Sequence, residues 1–254
     1  MLNALKISRE VAEVVREEVS KIAGKKEAGI EVGMGKDGTP TKKVDRIAEN
    51  AALSVLSNYD LKVVSEESGV VGDGDVVVAL DPVDGTFNAE RSIPFYSVSL
   101  CFSNSENYGN AFFGYVFNLA TGDEYYADQT AYKNGERIEV SKTEEVSKAN
   151  AIFYYPHRKL EFRRVRIFGA ASLEICLVAD GSVDCFVDIR NMGKGMLRVY
   201  DVAAGMYIAE KAGAKVTSPQ GESVYEKRFT MDERFNLVIA NRKLHKNIIE
   251  TVIP

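Results

Sequence analysis

The chain has 254 residues, 45% of them hydrophobic and 27% charged, and a formal net charge of −5. Those values describe a soluble globular protein with a substantial core, in one large domain or two lobes. The negative balance argues against nucleic acid as a partner, and no apolar run approaches membrane-spanning length, so no membrane partner is expected either.

Apolar positions from Leu5 to Ile22 recur at helical spacing and predict a helix over 3–23, stopped by Gly24. Gly33 to Pro40 is too rich in glycine for regular structure and is expected to be a mobile loop carrying Lys36 and Asp37. A second helix is predicted over 42–58, then strands over 61–65 and 75–81 flanking the acidic Ser65-Glu66-Glu67-Ser68. Pro82 lacks a backbone N–H and is expected to end the second strand. From 95 to 140 the texture is that of an antiparallel meander, with Asn134-Gly135 as a hairpin turn because both residues tolerate positive φ. Residues 141–150 are polar and read as a connection between a lobe over 1–142 and a second over 143–254. In the second lobe, strands over 150–155, 183–188 and 236–240 alternate with helices over 171–180, 200–212 and 242–252, which indicates an α/β layer.

The most informative stretch is Asp81-Pro82-Val83-Asp84-Gly85-Thr86. It sets two carboxylates at the end of a buried strand, where they are costly unless a cation holds them. Gly85 lets the backbone approach a ligand closely, and Thr86 adds a hydroxyl where a helix could begin. Asp45 lies early in the second helix, Glu66 and Glu67 follow a strand, and Asp201 opens an apolar helix. Singly, each has an ordinary reading as a helix cap, a dipole partner or a solvated loop residue. Together they predict an oxygen-rich site for a hard divalent ion, Mg²⁺ or Mn²⁺, while the absence of a His/Cys cluster disfavours zinc. The two histidines, His157 and His245, have no partner pattern and receive no catalytic part. Cys101, Cys176 and Cys185 lack CxxC spacing and read as reduced, buried thiols of a cytoplasmic protein.

These motifs resemble those of the magnesium-dependent, lithium-sensitive phosphatases of inositol monophosphatase and fructose-1,6-bisphosphatase type, over nearly the whole chain. Residues 81–86 match the first signature, Asp-Pro-hydrophobic-Asp-Gly-Thr, and Glu66-Glu67-Ser68 matches the acidic motif upstream. Tyr200-Asp201-Val202-Ala203-Ala204-Gly205 matches the second signature. Gly169-Ala170-Ala171-Ser172 resembles the small-residue segment lining the family's substrate pocket, and the Lys36 loop followed by Thr41 and Asp45 also matches. The length and the Gly-Thr-Pro-Thr loop are most similar to archaeal members, which hydrolyse both fructose 1,6-bisphosphate and inositol monophosphates.

The resemblance implies a layered αβαβα sandwich of α/β and α+β character (the sugar-phosphatase fold), a homodimer, and a site between the lobes. It implies two to three Mg²⁺ ions per site, with Mn²⁺ an alternative. Glu66, Asp81 and the Val83 carbonyl would bind the first ion, Asp81, Asp84 and Asp201 the second, and Glu66 with the mobile loop a weaker third. Asp45 would hydrogen-bond Thr86, which would orient the attacking water on the first ion. The N–H groups of Gly85 and Thr86 would hold the phosphate. Asp84 and Ala171 would also line the substrate pocket.

Substrate choice rests on fewer residues. The run Arg158-Lys159-Leu160-Glu161-Phe162-Arg163-Arg164-Val165-Arg166 is either a solvated surface or a clamp for a second anionic group, since arginine forks match phosphate. Arg166 is the first candidate for that clamp and Arg190 the second. Where animal inositol monophosphatases carry a glutamate that contacts inositol hydroxyls, this chain has Lys194, and Asp188 is the stand-in. Tyr154 and Tyr155 are expected to pack at a strand end, with a pocket role left open. The leading expectation is Mg²⁺-dependent hydrolysis of fructose 1,6-bisphosphate and inositol 1-phosphate. The rivals are a 3′-phosphoadenosine 5′-phosphate phosphatase of the same type and a non-catalytic metal- or phosphate-binding module.

Overall fold

The computed structural model describes residues 2–36, 38–154 and 162–251. Helix α1 (Ala4–Ser20) is followed by strands β1 (Glu31–Met34) and β2 (Pro40–Lys42), then helix α2 (Lys43–Leu56). Next come β3 (Leu61–Ser65), β4 (Gly69–Val71), β5 (Val76–Asp84) and the short helix α3 (Thr86–Glu90). The meander is β6 (Ser97–Ser103), β7 (Ala111–Asn118), β8 (Glu124–Ala127), β9 (Ala131–Lys133) and β10 (Glu136–Arg137). The second half holds β11 (Asn150–Tyr154), β12 (Arg164–Arg166), α4 (Ala171–Ala179), β13 (Cys185–Asp188) and β14 (Leu197–Arg198). It ends with α5 (Val199–Lys211), β15 (Ala214–Thr217), β16 (Arg234–Phe235), β17 (Leu237–Asn241) and α6 (Arg242–Thr251).

Side-chain alternation along the strands stacks these elements into five layers. The eight-stranded sheet runs β10-β9-β8-β7-β6-β5-β3-β4 and the five-stranded sheet runs β12-β11-β13-β17-β15. Val78 and Leu80 of β5 point to one face, where they pack with Val11 and Val15 of α1 and Val44 and Ala48 of α2. Val77 and Ala79 point to the other face and join Ile175 of α4 and Ala203 and Met206 of α5. That middle layer also receives Ile152, Phe186 and Ile239 from the five-stranded sheet. Phe153, Val187 and Val238 face outward from that sheet and are covered by Leu244 and Ile248 of α6. The layer order is therefore α–β–α–β–α, as in the expected sandwich. Helix α5 is buried on nearly every side from Val202 to Ala209 because it lies between two sheets, which explains its uniformly apolar sequence.

Two local expectations are corrected. The glycine-rich segment is flanked by regular structure, since β1 and β2 pair antiparallel from Glu31↔Lys42 to Met34↔Pro40. Strand β5 also continues through Pro82 to Asp84. The Asn134-Gly135 turn is as expected, with φ of 51° and 82°.

Candidate active site

The site begins with an irregularity in β5. Its ladder to β6 runs from Val77↔Ser103 to Asp81↔Ser99, then resumes at Asp84↔Ser97. Three steps on β5 match two on β6, so the strand holds one extra residue, a β-bulge at Pro82–Val83. Pro82 tolerates this place because a bulge asks less of its missing N–H. In a regular strand, residues 81 and 84 would face opposite sides. The bulge brings both carboxylates to the face where Ser97 Oγ meets Ser172 Oγ at 3.0 Å and Ser99 Oγ donates to the Tyr200 carbonyl at 3.1 Å.

Three aspartates of the site each accept an N–H at the start of a helix, where backbone donors lack partners and the dipole is positive. Asp45, the third residue of α2, accepts Lys42 N–H at 3.2 Å through Oδ2. Its Oδ1 accepts the Thr86 hydroxyl at 2.9 Å. Asp201, the third residue of α5, accepts Arg198 N–H at 2.7 Å. Asp84 reaches across to α4, accepting Ala171 N–H at 3.0 Å, Ser172 N–H at 2.7 Å and the Ser172 hydroxyl. Gly85 follows at φ 90°, and a Cβ there would lie 3.0 Å from Ala170 Cβ and 3.1 Å from the Phe95 carbonyl, so no side chain fits.

The acidic turn after β3 is held from α2. Glu49, fully buried, accepts the hydroxyls of Ser65 at 2.6 Å and Ser68 at 2.7 Å and the Ser68 N–H at 3.0 Å. Glu67 turns inward onto the Thr41 hydroxyl, and its carbonyl accepts Lys36 N–H at 3.2 Å. Glu66 turns toward the cavity, with Thr39 Oγ1 at 3.4 Å from its Oε1. Asp37 lies outside the described residues.

A cavity of about 310 Å³ collects these groups. It is lined by Glu66, Asp81, Val83, Asp84, Gly85, Thr86 and Asp201 together with Tyr154, Gly169, Ala171, Arg190 and Leu197. A larger hollow of about 580 Å³ lies beside α1, but it holds none of these carboxylates. Burial pushes the Asp81 carboxyl well above its usual range, and the charges of Asp84, Glu66, Asp201 and Asp45 push it further. Burial also raises Asp45, Asp84 and Asp201 to about 7 each, against the pull of their hydrogen bonds.

That mutual repulsion tests whether a cation fits. Clustered, desolvated carboxylates of this kind are tolerated as anions only when positive charge joins them, and an all-oxygen donor set suits a hard ion. As the side chains stand, no group of three or more His, Cys, Asp or Glu among the described residues forms a ready metal cage. Both oxygens of Asp84 are instead engaged with α4.

Of the two arginine candidates, Arg190 lines the cavity and Arg166 does not. Arg166 is exposed on β12, and its Nη1 donates to the Val165 carbonyl at 2.8 Å. The clamp expected first at Arg166 is thus found off the cavity, because its strand runs along the edge of the five-stranded sheet. Asp188 is fully buried and ion-paired with Arg190 at 2.6 Å, so it does not offer its carboxylate to a sugar hydroxyl. Lys194 is exposed in a turn. Tyr154, the last residue of β11, also lines the cavity. Tyr155, His157 and residues 158–161 lie outside the described residues. His245 is buried against Thr217 Oγ1 at 2.8 Å and takes no part in the site. Two residues without a motif matter here: Glu49 and Glu174, both fully buried. The sequence signals Glu174 as the one charged residue of the apolar α4, whereas Glu49 shares the buried face of α2 with Asp45 and has no such signal.

The model of the family described as inositol monophosphatase matches residues 1–253. A protein of Archaeoglobus fulgidus named fructose-1,6-bisphosphatase/inositol-1-monophosphatase is 61% identical, with 98% of each chain covered. A bifunctional NADP phosphatase/NAD kinase of Methanocaldococcus jannaschii is 32% identical over 98% of this chain and 50% of its own length. Among solved structures, a Pyrococcus horikoshii protein described as similar to inositol-1 monophosphatase is 30% identical, with a TM-score of 0.85 and 97% of each chain covered.

Proposed function

Since the chain belongs to the inositol monophosphatase family, we propose that this phosphatase hydrolyses fructose 1,6-bisphosphate and inositol 1-phosphate in a Mg²⁺-dependent reaction. The observation that carries the reading is the convergence of Glu66, Asp81, Asp84 and Asp201 on one cavity beside Gly85 and Thr86. Glu66, Asp81, the Val83 carbonyl, Asp84 and Asp201 would hold two to three Mg²⁺ ions, with Mn²⁺ able to replace them. Bound there, such ions lower the pKa of water and offset negative charge on phosphoryl oxygens.

The chain's own residues supply orientation. The Thr86 hydroxyl donates its proton to Asp45 Oδ1 at 2.9 Å, which turns the Thr86 oxygen into an acceptor for the attacking water. Asp45 is itself fixed by Lys42 N–H, so the Thr86 rotor has one preferred setting. Gly85 and Ala171 carry little or no side chain, and their backbone can approach a phosphate closely. Arg190 lines the same cavity, and its guanidinium suits a second phosphate of the substrate. The reading includes a cytoplasmic homodimer, with residues 1–142 and 143–254 as its two lobes. Three buried free cysteines support a reducing compartment.

The test is phosphate release from a panel of fructose 1,6-bisphosphate, inositol 1-phosphate, 3′-phosphoadenosine 5′-phosphate and NADP, with Mg²⁺ and with chelator. Higher kcat/KM on the first two, lost in chelator, is the expected result. A clear preference for either nucleotide would replace the sugar reading. No release from any member would favour a non-catalytic binding module.

A further inference from the structure

Arg190 is held more tightly than a surface arginine needs to be. It follows β13, whose last residue, Asp188, lies beside Tyr154 at the end of the parallel strand β11. Asp188 Oδ1 accepts the Arg190 backbone N–H at 2.9 Å and Nε–H at 3.1 Å, while Oδ2 accepts Nη2–H at 2.6 Å. The Arg190 carbonyl accepts Asn236 Nδ2–H at 2.7 Å. The guanidinium lies over the Tyr154 ring, 4.0 Å from its centroid. This combines an ion pair on one edge with cation–π contact on one face.

The support extends one residue deeper. The Tyr154 hydroxyl donates to Glu174 Oε2 at 2.5 Å. The other oxygen of Glu174 accepts Phe168 N–H at 2.5 Å and Gly169 N–H at 3.1 Å. Glu174 is fully buried in the first turn of α4, the helix whose N-terminus Asp84 caps. One carboxylate thus ties the strand end beneath Arg190 to the turn facing Gly85. A buried charge in an apolar helix is expensive, and here every bond it makes leads toward the cavity.

We infer that Asp188, Tyr154 and Glu174 are positioning residues that fix the Arg190 guanidinium at the cavity wall, as the recognition group for a second anionic group of a sugar bisphosphate. The inference rests on the substrate reading given above and deepens it. A fixed fork loses less freedom on binding than a mobile one, so the gain falls on substrates with a second phosphate.

The test is the ratio of kcat/KM for fructose 1,6-bisphosphate to that for inositol 1-phosphate, with unfolding midpoints measured alongside. Wild type is compared with Asp188→Asn, Tyr154→Phe, Arg190→Ala and the double variant Asp188→Asn/Arg190→Ala. Misplacing a binding group by about 1 Å can cost up to about a hundredfold, so the ratio is expected to fall about tenfold or more in Asp188→Asn, mainly through KM. Tyr154→Phe keeps the ring and loses the hydroxyl's link to Glu174; it should lower the ratio less and disturb folding least. The double variant should lose no more than Arg190→Ala alone, because Asp188 acts through Arg190. A ratio within twofold of wild type in both Asp188→Asn and Tyr154→Phe, or losses that add in the double variant, overturns the inference alone. A wild type that turns over only the monophosphate overturns the substrate reading and this inference together.

Discussion

The helices that carry no residue of the site, α1 and α6, start differently from α2 and α5, which carry Asp45 and Asp201. Helices α1 and α6 are preceded by asparagines whose side chains cap them: Asn3 Oδ1 accepts Lys6 N–H at 3.0 Å, and Asn241 Oδ1 accepts Leu244 N–H at 3.0 Å. Helices α2 and α5 have long basic residues at that position, Lys42 and Arg198, and are closed instead by an aspartate three residues on. An N-cap residue stands outside the helix and gives its oxygen to its own helix end, although Asn241 also donates through Nδ2 to the Ser141 and Thr143 carbonyls at 3.0 and 2.6 Å. A carboxylate in the first turn closes the helix with one oxygen and keeps the other for tertiary work. Asp45 spends that oxygen on Thr86, whereas Asp201 lines the cavity directly. The same local device thus serves two layers of the site, and only tertiary placement tells them apart.

Five substitutions, and a sixth in a pH series, sharpen or break this contrast. Asp201→Asn retains the cap but loses charge at the cavity, and kcat should fall on the order of a thousandfold with the unfolding midpoint little changed. Asp45→Asn acts through Thr86 and should cost about 10- to 100-fold, the range of residues that orient a primary group. In a cycle with Thr86→Val the two losses should not add. Equal losses for Asp45→Asn and Asp201→Asn would erase the distinction. Glu49→Gln loosens the turn that presents Glu66, and calorimetric titration should show Mg²⁺ or Mn²⁺ affinity reduced about tenfold. Asn241→Ala removes the cap of α6 and two further hydrogen bonds, to the Ser141 and Thr143 carbonyls; it should cost about 2–4 kcal/mol of stability by denaturant titration and leave kcat unchanged.

The smallest effect concerns His245, within α6. Burial lowers its pKa from 6.5 to about 4, with the Lys215 charge adding to the shift. Above its ordinary value the imidazole is neutral in both folded and unfolded chains. As pH falls through that value, the unfolded chain takes up a proton that the folded chain refuses, so stability declines until about pH 4. The unfolding midpoint of His245→Asn should therefore vary less with pH between about 6.5 and 4 than that of wild type. An identical pH slope would remove His245 from the account.

Much of the architecture was legible because it rests on local periodicity. The helix at 4–20, the meander and the Asn134-Gly135 turn each follow from spacing or φ tolerance within a few residues. The carboxylates were legible as residues sitting at element ends. What was hidden depends on partners far along the chain. Glu49 looks like a solvated helix residue until Ser68 is brought against it, and the lone Glu174 of α4 shows its purpose only once Tyr154 meets it. Arg166 sits in a basic run that reads as a clamp, yet edge placement of β12 leaves it exposed, while Arg190 is drawn in by Asp188. The β1–β2 hairpin was obscured because glycine masks strand propensity, although its ladder is made by backbone alone.

The bulge at Pro82–Val83 also makes the pair Asp81 and Asp84 depend on a count. On a pleated strand, sidedness is a matter of odd and even, and a separation of three is odd. The extra residue changes that parity, so two acids that arithmetic would divide are brought together. A strand that kept every residue but paired without the bulge would retain each acidic side chain, yet it would send one of the pair to the wrong side of the sheet. The chemistry of the cavity thus rests on an off-by-one in the backbone as much as on any carboxylate.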